Sequence, residues 1–146
     1  MRLQRWFAAI LCCLLAAAGN ASEQKDAAFV VIVHPSNHYD VLSRSRLEFL
    51  FQRKISRWPW GAEAQPIDLD SASPAAREFT RVVLKTTEER LAEYWIDQRA
   101  TRGVSPPVRL SSAAAVKAFV ASHPGAVGYI PAADLDATVK VMRVDP

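Results

Sequence analysis

The chain has 146 residues, half of them apolar and 23% charged, with 18 lysines and arginines against 15 acidic side chains. That length bounds it to about one domain with a real core, and a formal charge of +3 is too small for a general nucleic-acid surface. Its two cysteines, Cys12 and Cys13, sit side by side in an apolar run, which excludes a disulfide scaffold and a thiolate metal site from the rest of the chain.

The N-terminus reads as an export signal. Arg2 and Arg5 precede the continuous apolar run Trp6 to Ala18, and Gly19, Asn20 and Ala21 follow. Gly19 and Ala21 take the −3 and −1 positions if cleavage precedes Ser22. The run is about 13 residues, short of the ~20 that a membrane-spanning helix needs. Ile10 and Leu11 stand where a lipoprotein site requires small residues. Residues 1–21 are therefore expected to be a signal peptide cleaved near Ala21/Ser22, and residues 22–146 a single domain in the periplasm with no stable membrane span. Cleavage removes both cysteines together with Arg2 and Arg5, which leaves 16 basic against 15 acidic side chains and a net charge of +1.

Ala27 to His34 is an apolar, β-branched run that predicts a strand buried on both faces, ended by Pro35. Ser43 or Ser45 opens a helix, Ser45 and Glu48 fitting a capping box, with Leu47, Leu50 and Phe51 inward and Arg53 and Lys54 near its C-terminus. Ile55 to Ala64 is a loop punctuated by Pro59 and Gly61. Pro66 to Asp70 is a short strand. Ser73 is the N-cap and Pro74 the first residue of a helix expected to reach about Lys85 and to bury Phe79, Val82 and Val83. Thr86 to Glu89 is a second capping box, opening a helix that carries Leu91, Tyr94 and Trp95 on one face. Arg99 to Leu110, with Gly103 and Pro106-Pro107, is a loop.

Ser111 or Ser112 caps a helix with Ala113, Val116, Phe119 and Val120 inward, stopped by His123-Pro124-Gly125. Ala126 to Ile130 is a buried strand. Thr138 to Val144 alternates as a strand with Val139, Val141 and Arg143 on one face. This order is that of an α/β domain with helices covering a mostly parallel sheet. In such sheets ligands bind beyond the carboxyl ends of the strands, which draws attention to the Asp68 to Ser73 turn.

Three stretches resemble a known family. Ser43 to Trp58 (SRSRLEFLFQRKISRW), Ile67 to Leu84 (IDLDSASPAAREFTRVVL) and Val116 to Ile130 (VKAFVASHPGAVGYI) are similar to the second lobe of type II periplasmic solute-binding proteins, in particular the phosphate-binding subunit of bacterial phosphate ABC importers. The resemblance runs from about Ala27 to Asp134. It implies a single Rossmann-like lobe, a solute-binding function and a link to phosphate transport. The chain departs from the family in two ways. The family grips its ligand between two lobes, and this chain holds about one. The family's anion loop carries an arginine, an acidic residue, serine, glycine and threonine; matching through Phe79-Thr80 sets Leu69, Ser71, Ser73, Pro74 and Ala75 at those positions, so only Ser73 is kept in kind.

Two candidate sites follow. Ser71, Ser73 and Arg77 form an anion cradle of hydroxyls, helix N-terminal N–H groups and one guanidinium, suited to phosphate or another small anion; Asp68 and Asp70 place opposing charge beside it. Arg53, Lys54, Arg57, Trp58 and Trp60 form a cationic, aromatic surface suited to a membrane transporter or a periplasmic protein partner. His34, His38 and His123 have no metal-ligand spacing, and no Gly-x-Ser-x-Gly elbow is present, so neither metal, cofactor nor catalysis is expected. The chain therefore reads as a binding-protein-like module that takes a small anion, or alternatively as a non-catalytic adaptor that has lost its ligand and docks an envelope partner.

Overall fold

The computed structural model describes residues 28–146, and the expected signal peptide lies outside the described residues. Four consecutive β-branched residues make β1 (Val30–Val33), every one of them buried. It runs antiparallel to both its neighbours, β5 (Ala126–Ile130) and β6 (Lys140–Asp145). The remaining pairings are parallel: β2 (Val41–Ser43) with β6, and β3 (Gln65–Leu69) with both β5 and β4 (Val108–Leu110). The sheet order is β2-β6-β1-β5-β3-β4. The domain is thus α/β with a mixed, mostly parallel sheet, and the short edge strands β2 and β4 are additions to the elements expected from sequence.

Helix α1 (Arg44–Phe51) starts at Ser43, whose Oγ accepts the Arg46 N–H at 3.3 Å. Ser45 is therefore not the cap, and Glu48, which the capping-box reading assigned to the helix start, pairs with Arg44 at 2.7 Å. Helix α2 (Pro74–Val82) is shorter than expected because Lys85 takes a left-handed backbone, φ 50°, and turns the chain away. Ala75, Ala76, Phe79 and Thr80 face inward on α2, Val83 is buried just beyond it, and Val82 is exposed.

Helix α3 (Glu88–Arg102) is capped by Thr87 rather than Thr86 and ends in Gly103 at φ 64°, so the expected loop over 99–110 is partly its last turn and partly β4. Helix α4 (Ala113–Ser122) is capped by Ser112, whose Oγ accepts the Ala115 N–H at 3.1 Å. It lies so close to β5 that a Cβ on Gly128 would come within 2.9 Å of a Val116 methyl. A 3-10 turn over Ala132–Asp134 leads toward β6.

The core lies between this sheet and the helices. Phe79 of α2 stacks on Tyr129 of β5 with centroids 3.9 Å apart, and Phe51 of α1 packs against Phe79 at 4.7 Å. In β6 the alternation places Met142 inward, while Arg143 is exposed and Val141 half-buried. Because β3, β4 and β5 run parallel, their carboxyl ends share one edge of the sheet. The Asp70 N–H donates to the Leu110 carbonyl at 3.0 Å there. That bond fixes the turn between β3 and α2 at the carboxyl edge.

Candidate functional site: the β3–α2 turn and its neighbours

The turn is built around Asp70. Its carboxylate accepts the Ala72 N–H at 2.9 Å, and its carbonyl accepts the Ser73 N–H, also at 2.9 Å. Aspartate favours such local bonds to the backbone two residues on. Ser73 is the N-cap of α2 by position, yet its side chain makes no cap hydrogen bond. Pro74 follows at the first helical position and brings no N–H. Arg77 is exposed, and its guanidinium reaches back to the Ala72 carbonyl at 2.8 Å, so it folds over the turn. Glu78 is occupied by Arg81 at 2.6 Å.

Ser71, Ser73 and Arg77 therefore do lie together at the tip of α2. The tip already holds a negative charge, however, and two of its N–H groups are committed to Asp70. Arg77 is committed to a carbonyl of the same turn.

Behind the turn is a polar cluster that the sequence did not single out. Tyr129 of β5 donates its hydroxyl to the Asp68 carboxylate, and the Leu69 N–H approaches the same hydroxyl at 3.4 Å. Arg109 of β4 holds the other Asp68 oxygen at 3.0 Å and lies 4.0 Å from Glu88 at the start of α3. Thr80 donates to Glu88 at 3.0 Å. Burial is the largest influence on the Tyr129 phenol, followed by the Asp68 charge, and both push its pKa well above the ordinary value. Burial opposes the Arg109 charge, but the neighbouring Asp68 carboxylate outweighs it and the guanidinium pKa rises. The sequence carried one signal of this cluster: Asp68 is an acidic side chain set between the apolar Ile67 and Leu69. An ion-paired Asp68 is anchored by Arg109 and Tyr129 instead of being free to bind.

The cationic, aromatic surface is divided by the structure. Trp58 is not part of it: its ring is 2% exposed, its indole N–H donates to the Gly125 carbonyl at 2.9 Å, and it stacks on Trp60 with centroids 4.8 Å apart. A Pro-Gly loop that folds inward buries this ring, which removes it from any docking surface. Trp60 is half-buried and stacks on Tyr39 at 5.4 Å, with His38 beside it. Arg57 is exposed and donates to the Gly61 carbonyl at 2.8 Å, and the Lys54 ammonium lies 5.3 Å from the exposed Phe49 ring. Arg53 is exposed with a left-handed φ of 57°. Among the described residues no group of three or more His, Cys, Asp or Glu side chains is arranged to hold a metal ion. No described helix is long and apolar enough to cross a membrane.

No family model matches the chain, and no curated protein matches it. Solved structures do. A putative phosphate ABC transporter substrate-binding protein with bound phosphate from Clostridium perfringens aligns over 81% of this chain and 45% of its own, at 19% identity and a TM-score of 0.66. An ABC-type phosphate transport receptor from Vibrio cholerae aligns over 80% and 46%, at 17% identity and 0.61. PstS from Borrelia burgdorferi aligns over 89% and 55%, at 16% identity and 0.61. The chain thus spans about half the length of the proteins it matches. At these identities the likeness is one of fold: the described residues share their α/β fold with part of these solved phosphate-transport binding proteins.

Proposed function

We propose that this domain is a non-catalytic, exported binding module that keeps the lobe fold of a phosphate-transport binding protein and works by docking an envelope partner, not by capturing a free anion. The observation that carries this is the occupied tip of α2. The Asp70 carboxylate takes the Ala72 N–H at 2.9 Å, where an external anion would otherwise be held. An incoming dianion would meet the Asp70 carboxylate at close range. The surface left for a partner is the exposed cationic set Arg53, Lys54 and Arg57 with the Trp60–Tyr39 stack. That surface suits an acidic periplasmic protein or the periplasmic face of a transporter.

The fold likeness to a protein with bound phosphate favours a second reading, in which Ser71, Ser73 and Arg77 hold phosphate or another small anion after Arg77 leaves the Ala72 carbonyl. One calorimetric titration separates the two. The purified protein is expected to give no heat and no rise in melting temperature with millimolar phosphate or sulfate. Asp70→Asn, which keeps the turn and removes the charge, is expected to gain measurable phosphate binding. Stoichiometric phosphate binding by the wild type, weakened by Arg77→Ala, would replace docking with anion capture. Export is checked separately: the protein is expected in the periplasmic fraction with Ser22 as its first residue.

A further inference from the structure

The solvent face of α1 carries a cluster beside the docking surface. Leu47, Leu50 and Phe51 turn inward. Arg46 and Phe49, three residues apart and so neighbours on the helix surface, are exposed on the other side. Phe49 is 41% exposed. The chain then folds back beside it: the Lys54 and Ile55 N–H groups both donate to the Phe49 carbonyl, at 2.9 and 3.3 Å, and the Arg53 N–H donates to the Leu50 carbonyl at 3.1 Å. Arg53 takes its left-handed φ of 57° in this wrap, and the Lys54 ammonium ends 5.3 Å from the Phe49 ring.

An exposed phenylalanine thus stands among three exposed cations, Arg46, Arg53 and Lys54. Among the described residues none of the three is ion-paired. The one acid of α1, Glu48, is taken by Arg44 at 2.7 Å and by Gln52 at 3.1 Å.

Like charge speaks against a second copy on this face, since a two-fold contact would set three cations against three. A small anion would use the cations and leave Phe49 in water. The outward side of a helix is convex, whereas the anchors of a protein partner fill pockets. An anionic bilayer needs no pocket: its phosphates take the cations and its acyl boundary takes the ring. We propose that α1 lies on an anionic phospholipid surface, with Phe49 dipping into the interface and Arg46, Arg53 and Lys54 on lipid phosphates. Each basic side chain at such a surface is worth about fivefold in affinity, so the contact is reversible and works together with a second one. The docking surface supplies it, because Arg57 and Trp60 adjoin Lys54 in the chain. A partner docked there sits at the membrane, which selects the periplasmic face of a transporter over a soluble protein. That selection rests on the docking reading; the lipid contact does not.

The test is flotation of the purified protein with vesicles of phosphatidylcholine alone and of phosphatidylcholine with about one-third phosphatidylglycerol. Binding is expected only to the anionic vesicles, and high salt is expected to abolish it. Arg46→Glu with Lys54→Glu is expected to weaken binding about twentyfold or more without lowering the melting temperature, since both side chains are exposed. Phe49→Ser is expected to weaken it about fivefold. Arg99→Glu, the same charge change on the exposed side of α3, is expected to leave it nearly unchanged. No binding to anionic vesicles at low salt overturns the proposal, as does equal binding to uncharged vesicles, undiminished binding by Phe49→Ser, or equal weakening by Arg99→Glu. Retention on immobilised polyglutamate without vesicle binding would give the face to an acidic protein instead. Phosphate titration does not enter this readout, so a failure here and a failure of the docking reading are seen separately.

Discussion

Tyr129 joins the core to the polar cluster through a single side chain. Its ring is 1% exposed and stacked on Phe79, while its hydroxyl donates to Asp68. Burial first, and then the Asp68 charge, raise its pKa well above the 10.0 of an ordinary tyrosine. The consequence for stability follows from proton counting. Below pH 10 the folded and unfolded chains both hold the phenolic proton, and the full stabilisation is present. Above it, the unfolded chain releases a proton that the folded chain retains, so stability falls as pH rises. Tyr129→Phe is expected to cost about 1–3 kcal/mol at neutral pH, because Asp68 loses a buried donor, and to flatten this alkaline decline. Urea midpoints measured across alkaline pH for both proteins check it. A decline retained in the variant would move the effect to Tyr94, whose partial burial also raises its pKa.

At this scale the site was only partly legible. The Ser-x-Ser-Pro pattern located the turn at the start of α2 correctly. That Asp70 fills the turn depends on a side-chain conformation that sequence does not encode. Asp68, Arg109 and Tyr129 are 41 and 61 residues apart, and only the register of β3 with β4 and β5 brings them together. Trp58 sits between Arg57 and Pro59 in a segment without periodicity, which gave no sign that its ring turns inward.

Among the elements, α2 shows how a single backbone angle overrides a pattern. Phe79, Val82 and Val83 suggest a helix face continuing to Lys85, yet the helix ends at Val82. The Thr86 N–H instead reaches back to the Thr80 carbonyl at 3.3 Å, and Lys85 is left at φ 50°. A residue with a Cβ pays roughly 1–2 kcal/mol for that conformation, whereas Gly103 at the end of α3 adopts φ 64° without it. Lys85→Gly is accordingly expected to stabilise the domain by about 0.5–1 kcal/mol, the relief being reduced by the greater freedom of glycine in the unfolded chain. An upward shift of the denaturant midpoint at constant slope would show it, and a downward shift would mean that the Lys85 side chain itself holds the turn. Helices that start on a hydroxyl cap were legible to within a residue or two. Strands β2 and β4, three residues each, were not, because three residues display no period and Pro106-Pro107 before β4 reads as a breaker.

For the molecule as a whole, the sequence supported a mostly parallel α/β sheet, since buried β-branched runs alternate with capped helices. Strand order and the reversed direction of β1 were out of reach, because neither leaves a trace in composition or spacing. That order makes the last strand a structural keystone. β6 lies between β2 and β1, so it supplies one whole flank of β1 and, among the described residues, the one strand pairing of β2. It buries Met142 to 1% exposure, its Arg143 N–H donates to the Asp40 carbonyl at 2.9 Å, and the Lys140 ammonium reaches the Asn37 carbonyl at 2.9 Å and Asp40 at 2.6 Å. Full burial of a methionine contributes about 1.5–3 kcal/mol, and each ladder bond adds about 1 kcal/mol. Their sum is comparable with the roughly 5–15 kcal/mol that holds a whole domain together. Deleting residues 140–146 is therefore expected to abolish cooperative melting by circular dichroism, and the bared edge of β1 is expected to drive association visible by size-exclusion chromatography. A truncated protein that stays monomeric and melts cooperatively near the wild-type temperature would show that the sheet is held by β1, β5 and β3 alone, and that the β2–β6 flank is an addition to a self-sufficient core.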